Sequence, residues 1–176
     1  MLMRKINAII SLMTTLFLLT HAISTAVWML SKGRIAQFAS YAPWILAGLM
    51  IVHAFISIEF MVSGLMEGKS GKYKKYSRMN RATIFQRVSG ILLIVFAALH
   101  VAGTAGPLQP PPLVHTILPP LFFTVALAHA AVSTDKAFIT LGIGNASVVK
   151  IVSIMTKAIC AATLIASVVG FYLHVW

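Results

Sequence analysis

Long apolar runs alternate with short polar ones along the whole chain. No charged residue occurs between Lys5 and Lys32, between Arg34 and Glu59, or between Arg87 and Asp135. About 20 apolar residues suffice to cross a bilayer, and the last of these runs is long enough to cross twice. It is interrupted by Gly103, Gly106, Pro107, Pro110, Pro111 and Pro112, a set that no continuous helix accommodates. The pattern therefore predicts five helices, near 7–30, 42–66, 83–105, 113–134 and 149–173. The expected fold is an all-α integral membrane bundle of five transmembrane helices, with residues 1–176 forming one domain.

Composition agrees with the pattern. Of 176 residues, 59% are hydrophobic and 10% charged, whereas charged residues make up about a quarter of a soluble domain. The net charge of +11 raises the question of nucleic acid, which the distribution of the cations answers. Arg4 and Lys5 precede the first helix, Lys32 and Arg34 follow it, and Lys69, Lys72, Lys74, Lys75, Arg78 and Arg81 fill the second connection. The third connection has none, and Lys136 and Lys150 flank the fourth. An N-terminus inside and a C-terminus outside puts ten of these charges on the inner face and two on the outer, as the positive-inside rule requires. Nucleic acid is not needed to explain the excess. The second connection, Glu67 to Arg81, is suited instead to anionic lipid or to the acidic face of a soluble partner. The first segment has too long an apolar run for a signal peptide and is expected to be retained. A single cysteine, Cys160, excludes an internal disulfide and a Cys-x-x-Cys-His haem attachment.

Six histidines are present: His21, His53, His100, His115, His129 and His174. Four of them, His21, His53, His100 and His129, fall one on each of the first four helices. Ionisable groups in hydrocarbon are costly and usually have a partner or a function, so four on consecutive helices point to a shared role, haem ligation. Depth sorts them. At 1.5 Å per residue, His21 and His100 lie roughly 20 and 25 Å from the inner ends of their helices. His129 lies about 6 to 10 Å from that end and His53 about 19 Å. The best division is His21 with His100 on an outer haem iron and His53 with His129 on an inner one. Bis-imidazole ligation fills both axial positions and favours electron transfer over substrate activation. A competing arrangement uses His115 and His129, fourteen positions apart on one face of the fourth helix. It would need a matching pair on the facing helix, where Gln86 stands instead.

The segment Gln86-Arg87-Val88-Ser89-Gly90, placed before His100 on the third helix, together with histidines on each of the first four of five helices, resembles the di-haem cytochrome b subunit of succinate:quinone and fumarate:quinol oxidoreductases. The resemblance implies a membrane anchor with two haems b and no substrate chemistry of its own beyond quinone redox. It implies the same ligand pairing, first helix with third and second with fourth. It further implies a flavoprotein subunit carrying FAD and an iron-sulfur subunit on the inner side, a quinone, expected to be menaquinone, as redox partner, and a multi-pass location in a bacterial inner membrane. Alternatives are a cytochrome b subunit serving a hydrogenase, a formate dehydrogenase or another flavin-dependent reductase, and a haem-free transporter or scaffold.

Other polar residues have less specific readings. Arg87, just inside the inner boundary, suits a haem propionate through its bidentate fork or a phospholipid by snorkelling. Ser89 and Asn7 are candidates for the same propionates, although small polar residues at helix interfaces are commonly structural. Lys157 reads as a snorkelling lysine. Gly90 and Gly64 offer either porphyrin access or helix packing. Trp28, Trp44 and Trp176 read as interfacial anchors. Glu59 is the only acid expected within a span, and the quinone site is not legible.

Overall fold

A computed structural model describes residues 2–35, 40–69, 81–104, 112–143 and 145–175, with the backbone alone at 64–69, 104, 112–115, 146 and 174–175. The five apolar runs form α1 (Leu2–Leu30), α2 (Ala42–Lys69), α3 (Arg81–Thr104), α4 (Pro112–Leu141) and α5 (Ala146–Val175). Each contains a stretch long and apolar enough to cross a membrane. This is the structure hydrocarbon demands, because a helix satisfies every backbone polar group within itself. No strand occurs among the described residues.

The largest departure from the sequence reading is α4, which continues to Leu141 rather than stopping near 134. Asp135 and Lys136 therefore lie inside a helix and not in a connection. Both find partners on neighbouring helices, Asp135 on α5 through Lys157 and Lys136 on α3 through Thr83 and Gln86, so the polar pair does not stop the helix. The stop comes at Gly142, whose φ of +71° is the left-handed conformation that glycine adopts without steric penalty. The Gly142 amide donates to the Ile139 carbonyl and the Ile143 amide to that of Phe138, a Schellman cap. The same closure ends α1, with Lys32 at φ +51° and Gly33 donating to the Trp28 carbonyl at 2.9 Å. Asn145 caps the start of α5, its Oδ1 accepting from the Ser147 amide at 3.0 Å, a common N-cap arrangement.

Packing centres on α1, α4 and α5. Leu127 and Ala130 of α4 and Cys160 of α5 form a buried cluster, with Leu18, Leu19, Ala131 and Leu164 packed against it. Lipid tails are as apolar as leucine, so close packing of small residues, not burial of apolar surface, drives such contacts. The buried positions reflect this: Ala8, Ser11, Thr15, Ala22 and Ala26 make a stripe at helical spacing on α1, which packs against α4 and α5, where Ala126, Ala130 and Ala137 and Cys160, Thr163, Ser167 and Gly170 are buried. At Gly170 a methyl group would stand 3.2 Å from Met29 Cβ and 3.4 Å from the Ala26 carbonyl oxygen, tight enough that a larger residue would push the helices apart by a few tenths of an ångström. Large apolar side chains such as Phe55, Ile51, Ile165 and Ile154 point outward, as lipid-facing residues do.

The remaining helices flank this centre. α2 packs on α1 and α3 packs on α4, while among the described residues α2 and α3 are not packed against each other. Contacts thus run α2–α1–α4–α3, with α5 behind α1 and α4. The bundle is open along the side between α2 and α3. That opening frames the histidines.

Candidate functional site

The inward face of α3 repeats at helical spacing: Thr83, Gln86, Ser89 and Gly90, Phe96 and His100 are turned away from the outer surface, whereas Ile84, Phe85, Val88, Ile91, Leu92, Val95 and Leu99 are exposed. Spacings of three and four keep residues on one side of an α-helix. α4 answers with Lys136, Ser133, His129 and Phe122. The two helices run antiparallel, and their polar residues pair rung by rung. Lys136 Nζ donates to Thr83 Oγ1 at 2.9 Å and to Gln86 Oε1 at 2.7 Å. Gln86 Nε2 donates to Ser133 Oγ at 3.1 Å. Ser89 Oγ is 2.8 Å from His129 Nδ1. Further along α3, Phe96 meets Phe122 edge-on, and the His100 ring lies 5.3 Å from that of Phe122 at a tilt of 40°.

The four membrane histidines form two pairs. The imidazole of His21 on α1 lies within electrostatic reach of His100 on α3, and His129 on α4 within reach of His53 on α2. Each pair joins helices that are not packed on one another, so the pairs span the diagonals of the open bundle. Eleven positions of α3 separate the Ser89 rung, level with His129, from His100, which at 1.5 Å per residue sets the two levels about 16 Å apart. The donor sets hold two residues each. Among the described residues no group of three or more His, Cys, Asp or Glu side chains converges on a metal-sized site.

An orphaned atom bears on the fit. The Nδ1 of His53 is buried and has no hydrogen-bond partner among the described residues. A polar atom left so in hydrocarbon costs free energy, and metal-ligating histidines usually donate their second ring N–H to a neighbouring acceptor. His129 has such a contact through Ser89 and His53 has none among the described residues, so the two members of the pair are held differently.

Positive charge gathers at the N-terminal end of α3. Arg87 is half-buried there, and Lys136 lies within electrostatic reach of it. Neither has a carboxylate partner among the described residues, whose one ion pair is Lys157 with Asp135 at 2.7 Å. Lys157 also donates to Ser153 Oγ at 2.7 Å, so it bridges α4 and α5 and does not snorkel freely to phospholipid. Asp135 is a second acid within a span, correcting the expectation that Glu59 stands alone; Glu59 itself is on the exposed face of α2. Asn7 on α1 carries a buried amide oxygen with no hydrogen-bond partner among the described residues.

Ser89 is 3% exposed and fully engaged. Its hydroxyl approaches the Phe85 carbonyl at 2.6 Å as well as His129, which leaves no hydrogen to donate to a propionate. At Gly90 an added methyl group would lie 3.5 Å from His129 Cε1, an ordinary contact, so the imidazole stands close over this turn of α3. The sequence reading singled out Gln86 but not Thr83, Ser133 and Phe122 as neighbours of the site. Their signal was present in the spacing of polar residues on α3 and α4, but pairing them required knowing that these two helices are adjacent and in this register.

Residues 70–80 of the basic second connection, the Gly-Pro segment 105–111 and Trp176 lie outside the described residues, as do the surroundings of Gly64 and the side chains of His115 and His174. Trp28 and Trp44 stand at the same end of the bundle, near the end of α1 and the start of α2. Comparison with protein-family models, with curated proteins and with solved structures returned no significant match to this chain.

Proposed function

We propose that this chain is the di-haem b membrane anchor of a succinate dehydrogenase or fumarate reductase complex, relaying electrons between an iron-sulfur subunit and membrane quinone. The observation that carries the reading is the pair of histidine pairs, His21 with His100 and His53 with His129, on the diagonals of a bundle left open between α2 and α3. His21 and His100 would hold the outer haem, and His53 and His129 the inner. Haem b, held by these histidines, would supply one-electron redox chemistry.

The chain's own contribution is to position and to balance charge. Arg87 and Lys136, cations without carboxylate partners, are placed to neutralise the propionates of the inner haem, and the amide of Asn7 is a further candidate. The apolar faces around the histidines exclude water. The N-terminus is inside, the second connection meets the flavoprotein and iron-sulfur subunits, and the membrane is a bacterial inner membrane; these follow from the distribution of Lys and Arg and from the resemblance of the α3 segment. The deciding measurement is a reduced-minus-oxidised spectrum of the purified protein with a haem assay. A b-type alpha band and two haems per chain are expected. Absence of the band would overturn the reading, and one haem per chain would overturn the pairing. Co-purification of an FAD-containing subunit, as opposed to a nickel or molybdenum protein, tests the choice of complex.

A further inference from the structure

We infer that Ser89 is a positioning residue that fixes the tautomer of His129, placing the proton on Nδ1 and leaving the Nε2 lone pair as the only donor atom of the ring. A serine hydroxyl has one hydrogen to give. Ser89 Oγ lies 2.6 Å from the Phe85 carbonyl oxygen and 2.8 Å from His129 Nδ1. Were the hydrogen aimed at Nδ1, the hydroxyl and carbonyl lone pairs would face each other at 2.6 Å with nothing between them, a repulsive arrangement. With the hydrogen on the Phe85 carbonyl, the same oxygen accepts from Nδ1–H and both contacts are satisfied. The carbonyl four residues back along α3 therefore dictates the protonation pattern of a ring on α4.

Two further features hold this geometry in place. Gly90 faces the ring: a methyl group added there would lie 3.5 Å from His129 Cε1, so the imidazole stands close over the α3 backbone at this turn. The Lys136–Gln86–Ser133 hydrogen bonds one turn away fix the register of α3 against α4 on which the Ser89 contact depends. His53, by contrast, has no partner for its Nδ1 among the described residues. The tautomer of His129 is thus set by the protein before any ligand arrives, and that of His53 is not. Hydrogen bonding from Nδ1–H raises the basicity of a metal-bound imidazole, so in the haem-loaded protein the bond also favours ferric over ferrous iron at that level. This last consequence rests on the proposed haem ligation; the tautomer does not.

The test uses the full-length chain in detergent, labelled with 15N-histidine. In the haem-free protein, His129, assigned by the signal lost in His129→Gln, is expected to show a protonated Nδ1 and an unprotonated Nε2. Ser89→Ala should shift it towards the Nε2–H form that free histidine prefers, and Ser89→Thr, which keeps the hydroxyl, should restore it. In the loaded protein, Ser89→Ala should raise the midpoint potential of one haem and leave the other unchanged, with Ser89→Thr again reverting the shift. An Nε2–H form in the wild-type chain, or no response to Ser89→Ala in a folded protein, would overturn the inference. A tautomer switch in a chain that takes up no haem would uphold the inference and overturn the proposed function instead.

Discussion

At the scale of single residues, the chemistry of the proposed site depends on which imidazoles share a level. His100 packs on Phe122 and lies near His21, away from the Ser89–His129 contact. His100→Ala is expected to remove one haem of two and to leave the spectrum of the His53–His129 haem intact. Loss of both, or of neither, in a haem assay on the folded variant would contradict the pairing. Gly90 gives a separate reading. An alanine there meets His129 at an ordinary contact distance, and alanine is favoured over glycine in a helix by about 1 kcal/mol. Gly90→Ala should raise the thermal stability of the haem-free protein slightly without loss of haem binding. Expulsion of haem by this methyl group would mean that the macrocycle, not the imidazole, occupies the space beside Gly90.

At the scale of helices, α3 and α5 are held by different means. α3 is joined to α4 by directional bonds from Lys136, Gln86 and Ser89. α5 is joined to α1 by close approach of small residues, with Gly170 at the tightest point. Gly170→Val inserts branched carbons against Met29 Cβ and the Ala26 carbonyl, and overpacking of this kind costs about 1–3 kcal/mol. Thermal unfolding in detergent should show that loss, while the haem content stays at two per chain, because α5 carries none of the four paired histidines. The sequence reading placed all five helices but ended α4 near 134. A charged pair, Asp135 and Lys136, reads as the edge of a span when the helix is viewed alone, and only the facing side chains of α3 and α5 let the helix run on through it.

At the scale of the molecule, the side between α2 and α3 and the two diagonal histidine pairs make one arrangement: under the proposed function, a planar group would enter where α2 and α3 are not packed on each other. The charge distribution adds an orientation. An odd number of spans puts the termini on opposite faces, and the cations of the second connection choose which. A phosphatase fused after Val175 should be active outside the cell, and one fused after Asn145, in the fourth connection, inactive. The reverse pattern would overturn the topology and with it the placing of the soluble subunits.

The sequence by itself determined the helices and which residues stand out as candidate ligands. Unbroken apolar runs and helix-breaking Gly-Pro clusters are local signals, and an imidazole in hydrocarbon is conspicuous in one dimension. Depth along each helix also follows from counting, which set His21 near His100 but left His53, at about 19 Å, nearly central and well above His129. Tertiary structure alone decided which side chains meet across helices. The pairing of Ser89 with His129, of Gln86 with Ser133 and Lys136, and of Lys157 with Asp135 depends on the adjacency and register of separate helices. Those are set by how closely small residues such as Gly170, Ala26 and Ala130 allow backbones to approach, a property of surfaces in contact that spacing along one chain does not contain.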